Sequence, residues 1–352
     1  MTTATPKVIQ SFLLKHISKH PQNIVAFAAT HFSVSRMTIH RHLQKLSKTG
    51  KIIQTGRQRG TQYFLQSSYN KELFFDITSK LSEYNVWDKY FNDQYSKLKK
   101  NVFDICNYGF TEIFNNAIDH SQGKKITVKT HCNTNNIVIT IADDGIGIFK
   151  KLQTVFGYKD MREGILNLSK GKLTTDPTNH TGEGIFFTSK AFDSFGITAN
   201  SLLYFRDNHN DDWIIESNCK PNQQGTVVKM EINVNSANNL IKLFKQFQNP
   251  ETLEFNKTHI LVELSKFKEE SFISRSQAKR IIFGLEKFHH VILDFKNVTT
   301  VGQGFVDEIF RIFKNKYPHI EIHYRNASND VKFMIKRGIA TAKHNDTIGF
   351  VS

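Results

Sequence analysis

Apolar and polar positions in the first 66 residues follow helical spacing at first and then alternate. Apolar residues at i, i+3, i+4 and i+7 predict three helices: residues 6–20, residues 24–30 behind a cap at Asn23, and a stretch from Ser33 or Ser35 to about Lys48. Two alternating runs, residues 51–54 and 62–65, flank a glycine-containing turn and predict a β-hairpin. We therefore expect a small helical domain that ends in a hairpin.

The middle of the chain mixes helical and strand patterns. Residues 70–100 are rich in aromatic side chains, and we expect helices there. Residues 93–120 carry one apolar stripe at helical spacing, which predicts a single long helix. Beyond this helix the pattern predicts strands at 126–132 and 137–142, a polar loop near 170–179, a helix that opens at 180–185, two strands, and a further strand that begins at Gly225 and Thr226.

The last third of the chain follows an asparagine-rich stretch, residues 233–256, which we interpret as a helix and a linker. Strand patterns then alternate with helical ones. The predicted strands are residues 258–264, 290–295 and 320–324, and the predicted helices are residues 274–288, 303–316 and 329–338. This alternation is typical of βαβ units around a parallel sheet.

The composition fits a folded chain of several domains. With 352 residues, of which 39% are hydrophobic, we expect two or three domains. No apolar run approaches the length of about 18 residues that a membrane span needs, and the N-terminus lacks a signal-peptide pattern. Three widely spaced cysteines predict no disulfide framework and favour a cytoplasmic location: Cys106, Cys132 and Cys219.

The net charge of +15 is concentrated at the N-terminus. Residues 1–66 contain ten of the 47 Lys and Arg residues and none of the 32 Asp and Glu residues. Glu72 is the first carboxylate of the chain. A segment without acidic side chains is typical of a surface that contacts a polyanion.

The phrase SVSRMTIHRHLQKLSKTGKI, with the hairpin after it, resembles the recognition helix and wing entry of bacterial winged helix-turn-helix regulators. The resemblance implies a DNA-binding domain over residues 1–68, with its third helix in the major groove and its wing along the DNA backbone. Arg57 and Arg59, in the hairpin tip, are expected to meet phosphates. The outward residues of the third helix, of which the arginines can reach guanine edges, are Arg36, Thr38, Arg41, His42 and Lys45. The alternative is a winged helix that serves protein contact or dimerisation.

Several short motifs occur in a fixed order in the central part of the chain. Glu112, Asn116 and Asp119 stand at i, i+4 and i+7 and share one face of the predicted long helix. A D-x-G-x-G turn follows a strand at 143–147, and a G-x-G triplet opens a helix at 182–184. With the segment TEIFNNAIDHS, this order resembles the ATP-binding domain of the GHKL superfamily, the Bergerat fold of gyrases and histidine kinases, and most of all its anti-sigma-factor-like members.

The resemblance implies an ATP-binding domain over residues 69–235, built as an α/β sandwich with helices on one face of a mixed sheet. It implies that Glu112 is the general base, that Asn116 is a ligand of Mg²⁺, and that Asp143 accepts a hydrogen bond from the adenine amino group. The other implied binding positions are Asp119, Gly145, Gly147, Gly182, Gly184 and Thr226. These residue types suit the chemistry, because Mg²⁺ prefers oxygen ligands, glycine admits close approach and a helix N-terminus favours phosphate. The alternatives are a domain that no longer binds nucleotide, or one that binds ATP without turnover.

The segment VILDFKNVTTVGQGFVDEIF resembles the strand–loop–helix core of STAS domains, in a STAS-like family that often follows GHKL domains. The resemblance implies a linker over residues 236–256 and a STAS-like βαβ domain over residues 257–352. STAS antagonists carry a phosphorylated serine in the loop that here runs from Thr300 to Gly304 without a serine. We therefore expect a module that docks a protein partner, with Asp294 and Asp307 in structural roles.

Together these features predict an α/β multidomain regulator: an N-terminal winged helix, a central GHKL domain and a C-terminal STAS-like domain. The favoured function is a DNA-binding regulator of transcription that Mg-ATP controls, with ATP hydrolysis left open. One alternative is a serine/threonine kinase of the anti-sigma type that acts on a separate protein. Another is an interaction scaffold with a structural nucleotide. A homodimer that presents two recognition helices is compatible with the first function.

Overall fold

The computed structural model describes residues 5–17, 19–49, 51–55, 61–65, 69–133, 135–178, 180–208, 212–217, 224–266 and 273–348. The chain forms two compact units: residues 1–73 with 128–140 and 231–235, and residues 74–127 with 141–230 and 236–352. The helices are α1 (Pro6–His16), α2 (Ile24–Phe32), α3 (Arg36–Lys48), α4 (Glu83–Trp87), α5 (Asp93–Tyr95), α6 (Lys100–His120), α7 (Ile148–Phe156), α8 (Arg162–Lys170), α9 (Gly184–Ala191), α10 (Leu240–Phe247), α11 (Arg275–Ile282), α12 (Gln303–Val306), α13 (Lys314–Lys316) and α14 (Asn329–Ile348). The strands are β1 (Ile52–Thr55), β2 (Gln62–Leu65), β3 (Tyr69–Asp76), β4 (Lys125–Cys132), β5 (Asn136–Asp143), β6 (Ser194–Ala199), β7 (Leu202–Asp207), β8 (Asp212–Ser217), β9 (Thr226–Asn233), β10 (Lys257–Leu261), β11 (His290–Asp294) and β12 (Glu321–Arg325).

Helices α1, α2 and α3 pack around a small apolar core and precede an antiparallel pair of strands, β1 and β2. Helix α3 begins at Arg36 because the Ser35 hydroxyl accepts a hydrogen bond from the N–H of Thr38 at 3.1 Å, which satisfies a free amide of the first turn. The inward residues of α3 are Ile39, Leu43 and Leu46, as the spacing predicts. Helix α1 ends at His16, earlier than predicted. Arg57 and Arg59 lie outside the described residues.

A seven-stranded sheet has the order β3-β4-β5-β9-β6-β7-β8. The prediction of helices after residue 70 is wrong for β3, which is an edge strand with a largely exposed Phe74. Burial alternates along β3, but its exposed face carries Phe74, so the aromatic residues do not show the polar–apolar alternation by which a strand is predicted. Three strands, not two, separate α9 from β9, and β7 pairs antiparallel with β6 and with β8.

The long central helix α6 begins at Lys100, not at residue 93. Two short helices, α4 and α5, and a π-helical segment between them occupy residues 83–95 instead. Three aromatic residues of this stretch are buried at i, i+4 and i+8: Trp87, Phe91 and Tyr95. The rings of Trp87 and Phe91 pack against Phe110 of α6. The helix is therefore interrupted before Lys100, because residues 83–95 fold back and pack against α6.

The C-terminal part contains a parallel three-stranded sheet in the order β10-β11-β12, with Leu293 opposite Ile260 and Tyr324. This confirms the predicted βαβ alternation. Asp294 ends β11 with a buried carboxylate, whose Oδ2 lies 2.7 Å from Nε of Arg325 and 3.0 Å from Nε2 of His259. Asp307 pairs with Arg311 one turn later on its helix. Both carboxylates thus have structural partners.

The apolar core around this sheet continues into the central helices. Phe186 and Phe187 of α9 pack against Phe255, just before β10. The segment predicted as a linker contains α10, whose Phe244 and Phe247 contact the same rings. No helix among the described residues has the length and apolarity of a membrane span.

Lys170, the last residue of α8, is fully buried at the boundary between α8 and α11. Its Nζ donates hydrogen bonds to Oδ1 of Asn167 at 2.6 Å and to the carbonyl oxygens of Arg280 and Phe283 at 2.8 and 2.9 Å. Burial lowers the pKa of Lys170 to about 7. Three acceptors match the three donors of an ammonium group, so this side chain fixes the end of α8 to the end of α11.

We expect Lys170→Met to lower the free energy of unfolding by about 2 kcal/mol, because three buried acceptors lose their donor. The midpoint of urea unfolding measures this change. Lys100→Met is the control, since Lys100 is 88% exposed and forms a surface ion pair worth well under about 1 kcal/mol. A Lys170→Met protein as stable as the control would contradict a locking role for the ammonium group.

Candidate functional site

A cavity lies where the middle of α6, the end of β5, the start of α9 and the start of β9 meet. Seven of the nine nucleotide-site residues predicted from the sequence line it, although they come from four separate segments of the chain. These seven are Glu112, Asn116, Asp143, Gly147, Gly182, Gly184 and Thr226. The packing of α6 against α9 brings the first and third motifs together.

Glu112 and Asn116 face the cavity from consecutive turns of α6, as their i, i+4 spacing predicts. Among the described residues, neither the Glu112 carboxylate nor the Asn116 amide has a hydrogen-bond partner. Burial raises the pKa of Glu112, the charge of Glu183 raises it further, and His180 lowers it. The cavity therefore holds a half-buried carboxylate and an amide, both of which face its interior.

Asp143 ends β5 with a buried carboxylate. Its Oδ1 accepts hydrogen bonds from the N–H of Gly145 at 2.9 Å and from the N–H of Thr226 at 3.2 Å. Burial raises the pKa of Asp143, and these backbone donors oppose that shift. The Thr226 hydroxyl accepts from the N–H of Ile148 at 3.0 Å, so Thr226 joins the end of β5 to the start of α7.

Packing against neighbouring protein atoms explains why the D-x-G-x-G turn has glycine at both positions, whereas the sequence suggested close approach of a ligand. A Cβ on Gly145 would overlap the backbone carbonyl of Ser121, and a Cβ on Gly147 would overlap the Asn200 side chain. Gly147 also has φ of +83°, a conformation that side chains disfavour. Protein atoms fill both spaces, so these two glycines allow the turn to pack against its neighbours.

The glycines before α9 act differently. A Cβ on Gly184 would overlap the carboxylate of Glu112, so a larger residue there would displace that carboxylate from its position in the cavity. Gly182 has φ of +74° and lies against the backbone of Leu173. No side chain caps the N-terminus of α9, which leaves backbone N–H groups and the positive end of the helix dipole for an anion.

Two predicted residues do not line the cavity. Oδ2 of Asp119 lies 3.2 Å from Nε2 of His180, and Gly145 packs against the backbone carbonyl of Ser121. Lys151 of α7 does line the cavity and was not predicted, because a lysine in an ordinary amphipathic helix carries no distinctive sequence signal. Its Nζ donates to the carbonyl oxygen of His120 at 2.7 Å, and burial lowers its pKa.

Family comparisons agree with this architecture. Residues 108–235 match the family model of the histidine kinase-, DNA gyrase B-, and HSP90-like ATPases. Residues 277–332 match the model of a STAS-like domain of unknown function. Comparison with curated proteins gives no match. The chain thus contains a GHKL-type ATPase domain, whose presence implies nucleotide binding, followed by a STAS-like domain.

We expect Gly145→Ala to destabilise the protein by about 1–3 kcal/mol, the usual cost of forcing extra atoms into a packed region, since the obstructing Ser121 carbonyl is backbone. Thermal unfolding followed by circular dichroism measures it. Gly196→Ala is the matched control, because a Cβ there would make only ordinary contacts in β6. Equal melting temperatures for the two variants would contradict the packing argument.

Proposed function

We propose that this protein is an ATP-dependent regulator whose central domain binds Mg-ATP in the cavity beside α9. The observation that carries the proposal is the convergence of seven motif residues from four chain segments on one cavity at an uncapped helix N-terminus. The match of residues 108–235 to ATPases of the histidine-kinase and gyrase type supports the same ligand. Regulation is the role that such a domain suggests beside a STAS-like domain.

The polar groups of the cavity fit a magnesium-bound triphosphate. The Asn116 amide, which lacks a partner among the described residues, offers the hard oxygen that Mg²⁺ prefers. The amides at the start of α9 and the Lys151 ammonium suit phosphate oxygens. Bound Mg²⁺ would also supply positive charge near the Glu112 carboxylate, whose pKa burial and the charge of Glu183 raise.

The remaining roles follow from where each side chain lies. Asp143, held in place by the amides of Gly145 and Thr226, is suited to accept a hydrogen bond from the adenine amino group. Glu112 would accept a proton from a water molecule near the phosphates, and its raised pKa suits this role of general base. In this proposal Asp119 orients His180 at the cavity wall and does not contact the nucleotide.

We expect Asp143→Asn to weaken ATP binding about 10- to 100-fold, because a hydrogen bond to a charged acceptor is worth about 1.5–3 kcal/mol. The amide keeps an oxygen for the two backbone donors, so the fold should survive. Isothermal titration of the full chain with ATP and Mg²⁺ measures the change. Lys129→Ala, an exposed lysine of β4, is the control. Absence of ATP binding by the wild-type protein would contradict the proposal.

Turnover has its own test. We expect Glu112→Gln to retain ATP binding and to lower the rate of phosphate release by about 100-fold or more, the usual contribution of a general base. Radiolabelled γ-phosphate ATP separates the possible fates of the phosphate. Free phosphate indicates an ATPase switch, whereas label on a protein indicates a kinase. Binding with neither product contradicts turnover and leaves nucleotide binding alone.

We further infer that residues 1–68 form a winged helix-turn-helix that binds DNA. The argument rests on α3, whose Arg36, Arg41 and Lys45 are exposed while Thr38 and His42 are half-buried. No carboxylate occurs before Glu72 to oppose these charges. A basic exposed helix of this kind is typical of major-groove contact. The C-terminal STAS-like domain would then dock a protein partner.

We expect the double substitution Arg36→Ala with Arg41→Ala to weaken binding to a duplex at least tenfold, because each arginine contact to a base contributes about 1–3 kcal/mol. Fluorescence anisotropy over a salt series measures affinity and its salt slope, about −0.9 per phosphate contacted. Lys100→Ala, an exposed lysine of α6, is the control. Duplex affinity that neither salt nor the double substitution changes would refute DNA contact by α3.

A further inference from the structure

A second cavity, of about 450 Å³, lies between the C-terminal end of α9 and the parallel sheet of the C-terminal domain. It is separate from the candidate nucleotide site, which lies at the other end of α9. Its volume falls within the range of cavities that hold small-molecule ligands. The basic residues that line it are Lys190, Arg206, Lys242, His259 and Arg325, and its polar neutral residues are Asn208, Asn238, Asn239 and Gln246.

The lining is cationic. Four side chains with a permanent positive charge face the cavity together with His259, and no carboxylate stands among the described residues of its lining. Behind the lining, Asp193 accepts from the Asn238 amide at 3.0 Å, and Asp294 pairs with Arg325. Basic side chains that share a partly enclosed space interact more strongly with an anion than they would at an open surface.

The buried cations of this cavity are held in place by their neighbours. Lys190 and Arg206 are both more than nine-tenths buried. The Lys190 ammonium lies 4.6 Å from the ring centre of Phe186 and 5.1 Å from that of Phe247. The guanidinium of Arg206 donates through Nε to Oδ1 of Asn208. Such support is typical of a prepared binding site and unlike the free lysines of a protein surface.

The end of α9 is closed by amides of the same lining. Asn208 donates to the carbonyl oxygens of Ser189 at 2.8 Å and Phe192 at 2.6 Å, and Asn238 donates to that of Ala191 at 3.0 Å. These bonds satisfy carbonyls that would otherwise repel an anion at a helix C-terminus. On the opposite wall, Asp294 fixes both His259 and Arg325. Donors from two domains therefore converge on one space.

We propose that this cavity binds a small phosphorylated molecule with at least two negative charges, and that the ligand joins the ATPase domain to the STAS-like domain. Arginine and lysine together recognise phosphate oxygens by charge and by directed hydrogen bonds. Lys190, Arg206 and Lys242 would contact the ligand from one side, and His259 and Arg325 from the other. This site does not depend on ATP binding at the first cavity.

The test is isothermal titration of the full chain with sodium pyrophosphate, in EDTA and at constant ionic strength. We expect saturable binding at one site, weaker binding of inorganic phosphate, and at least tenfold weaker pyrophosphate binding by Lys242→Glu. Lys242 is exposed on α10, so this variant should fold, and an unchanged melting temperature checks that it does. Lys245→Glu is the matched control, because it makes the same charge change on α10 outside the cavity.

Each other outcome counts against the proposal. Absence of pyrophosphate binding overturns it, and so does equal weakening by Lys242→Glu and Lys245→Glu, which would indicate a diffuse effect of charge. Citrate that binds as tightly as pyrophosphate would show a polycarboxylate site instead. Arg206→Met provides a second test from the ATPase side, and it too should weaken pyrophosphate binding at least tenfold. Retained binding in both cavity variants would place the anion elsewhere.

Discussion

Helix α9 is the element on which the rest of the second unit depends. It has eight residues and is about 12 Å long, so it cannot bend between its ends. Gly184 at its start lies against the Glu112 carboxylate, Phe186 and Phe187 in its middle belong to the core of the C-terminal sheet, and Lys190 at its end faces the cationic cavity. Because the middle is packed, a displacement of either end must move the other or disturb that core. Helix α9 thereby connects the candidate nucleotide site, the contact with the C-terminal sheet and the cationic cavity.

Two buried charges, Lys170 and Asp294, fix neighbouring elements of this unit to one another. Lys170 enters the core with three acceptors, and burial lowers its pKa to about 7. For Asp294, burial acts to raise the pKa, but His259, Asn326, the N–H of Lys296 and Arg325 outweigh it and hold the pKa well below the ordinary value. Such groups stabilise a protein less than apolar packing does, yet each tolerates only one arrangement of its partners. Apolar contacts between Phe186, Phe187 and Phe255 hold α9 against the segment before β10. The Lys170 hydrogen bonds set the register of α8 against α11, and the Asp294 contacts fix the strands of the C-terminal sheet to one another.

The sequence predicted those helices and strands whose formation depends on residues close together along the chain. The spacing of Ile39, Leu43 and Leu46 defined the buried face of α3, and alternation defined β4 and β5. Prediction failed where the cause is distant. Strand β3 is set by its place at the edge of the sheet, and the break before Lys100 is set by aromatic residues that fold back onto α6. In the candidate site, the i, i+4 spacing of Glu112 and Asn116 was sufficient, whereas Lys151 lines the cavity because α7 begins against Thr226 and its Lys151 reaches the His120 carbonyl at the end of α6.

Local patterns in the sequence were enough to show which residues share a helix face, where turns contain glycine, that basic side chains dominate the N-terminus, and in which order the motifs occur. These are properties of neighbours along the chain, set by backbone geometry and local charge. Three-dimensional packing, in contrast, brings the four motifs to one cavity, places the Ser121 carbonyl where a side chain on Gly145 would lie, and sets Phe244 and Phe247 of α10 against Phe187 and Phe186. It also decided that cations more than 100 residues apart, such as Lys190 and Arg325, line one space. Long-range packing makes these choices because burial depends on the whole fold, and no local pattern records which distant surface will cover a given side chain.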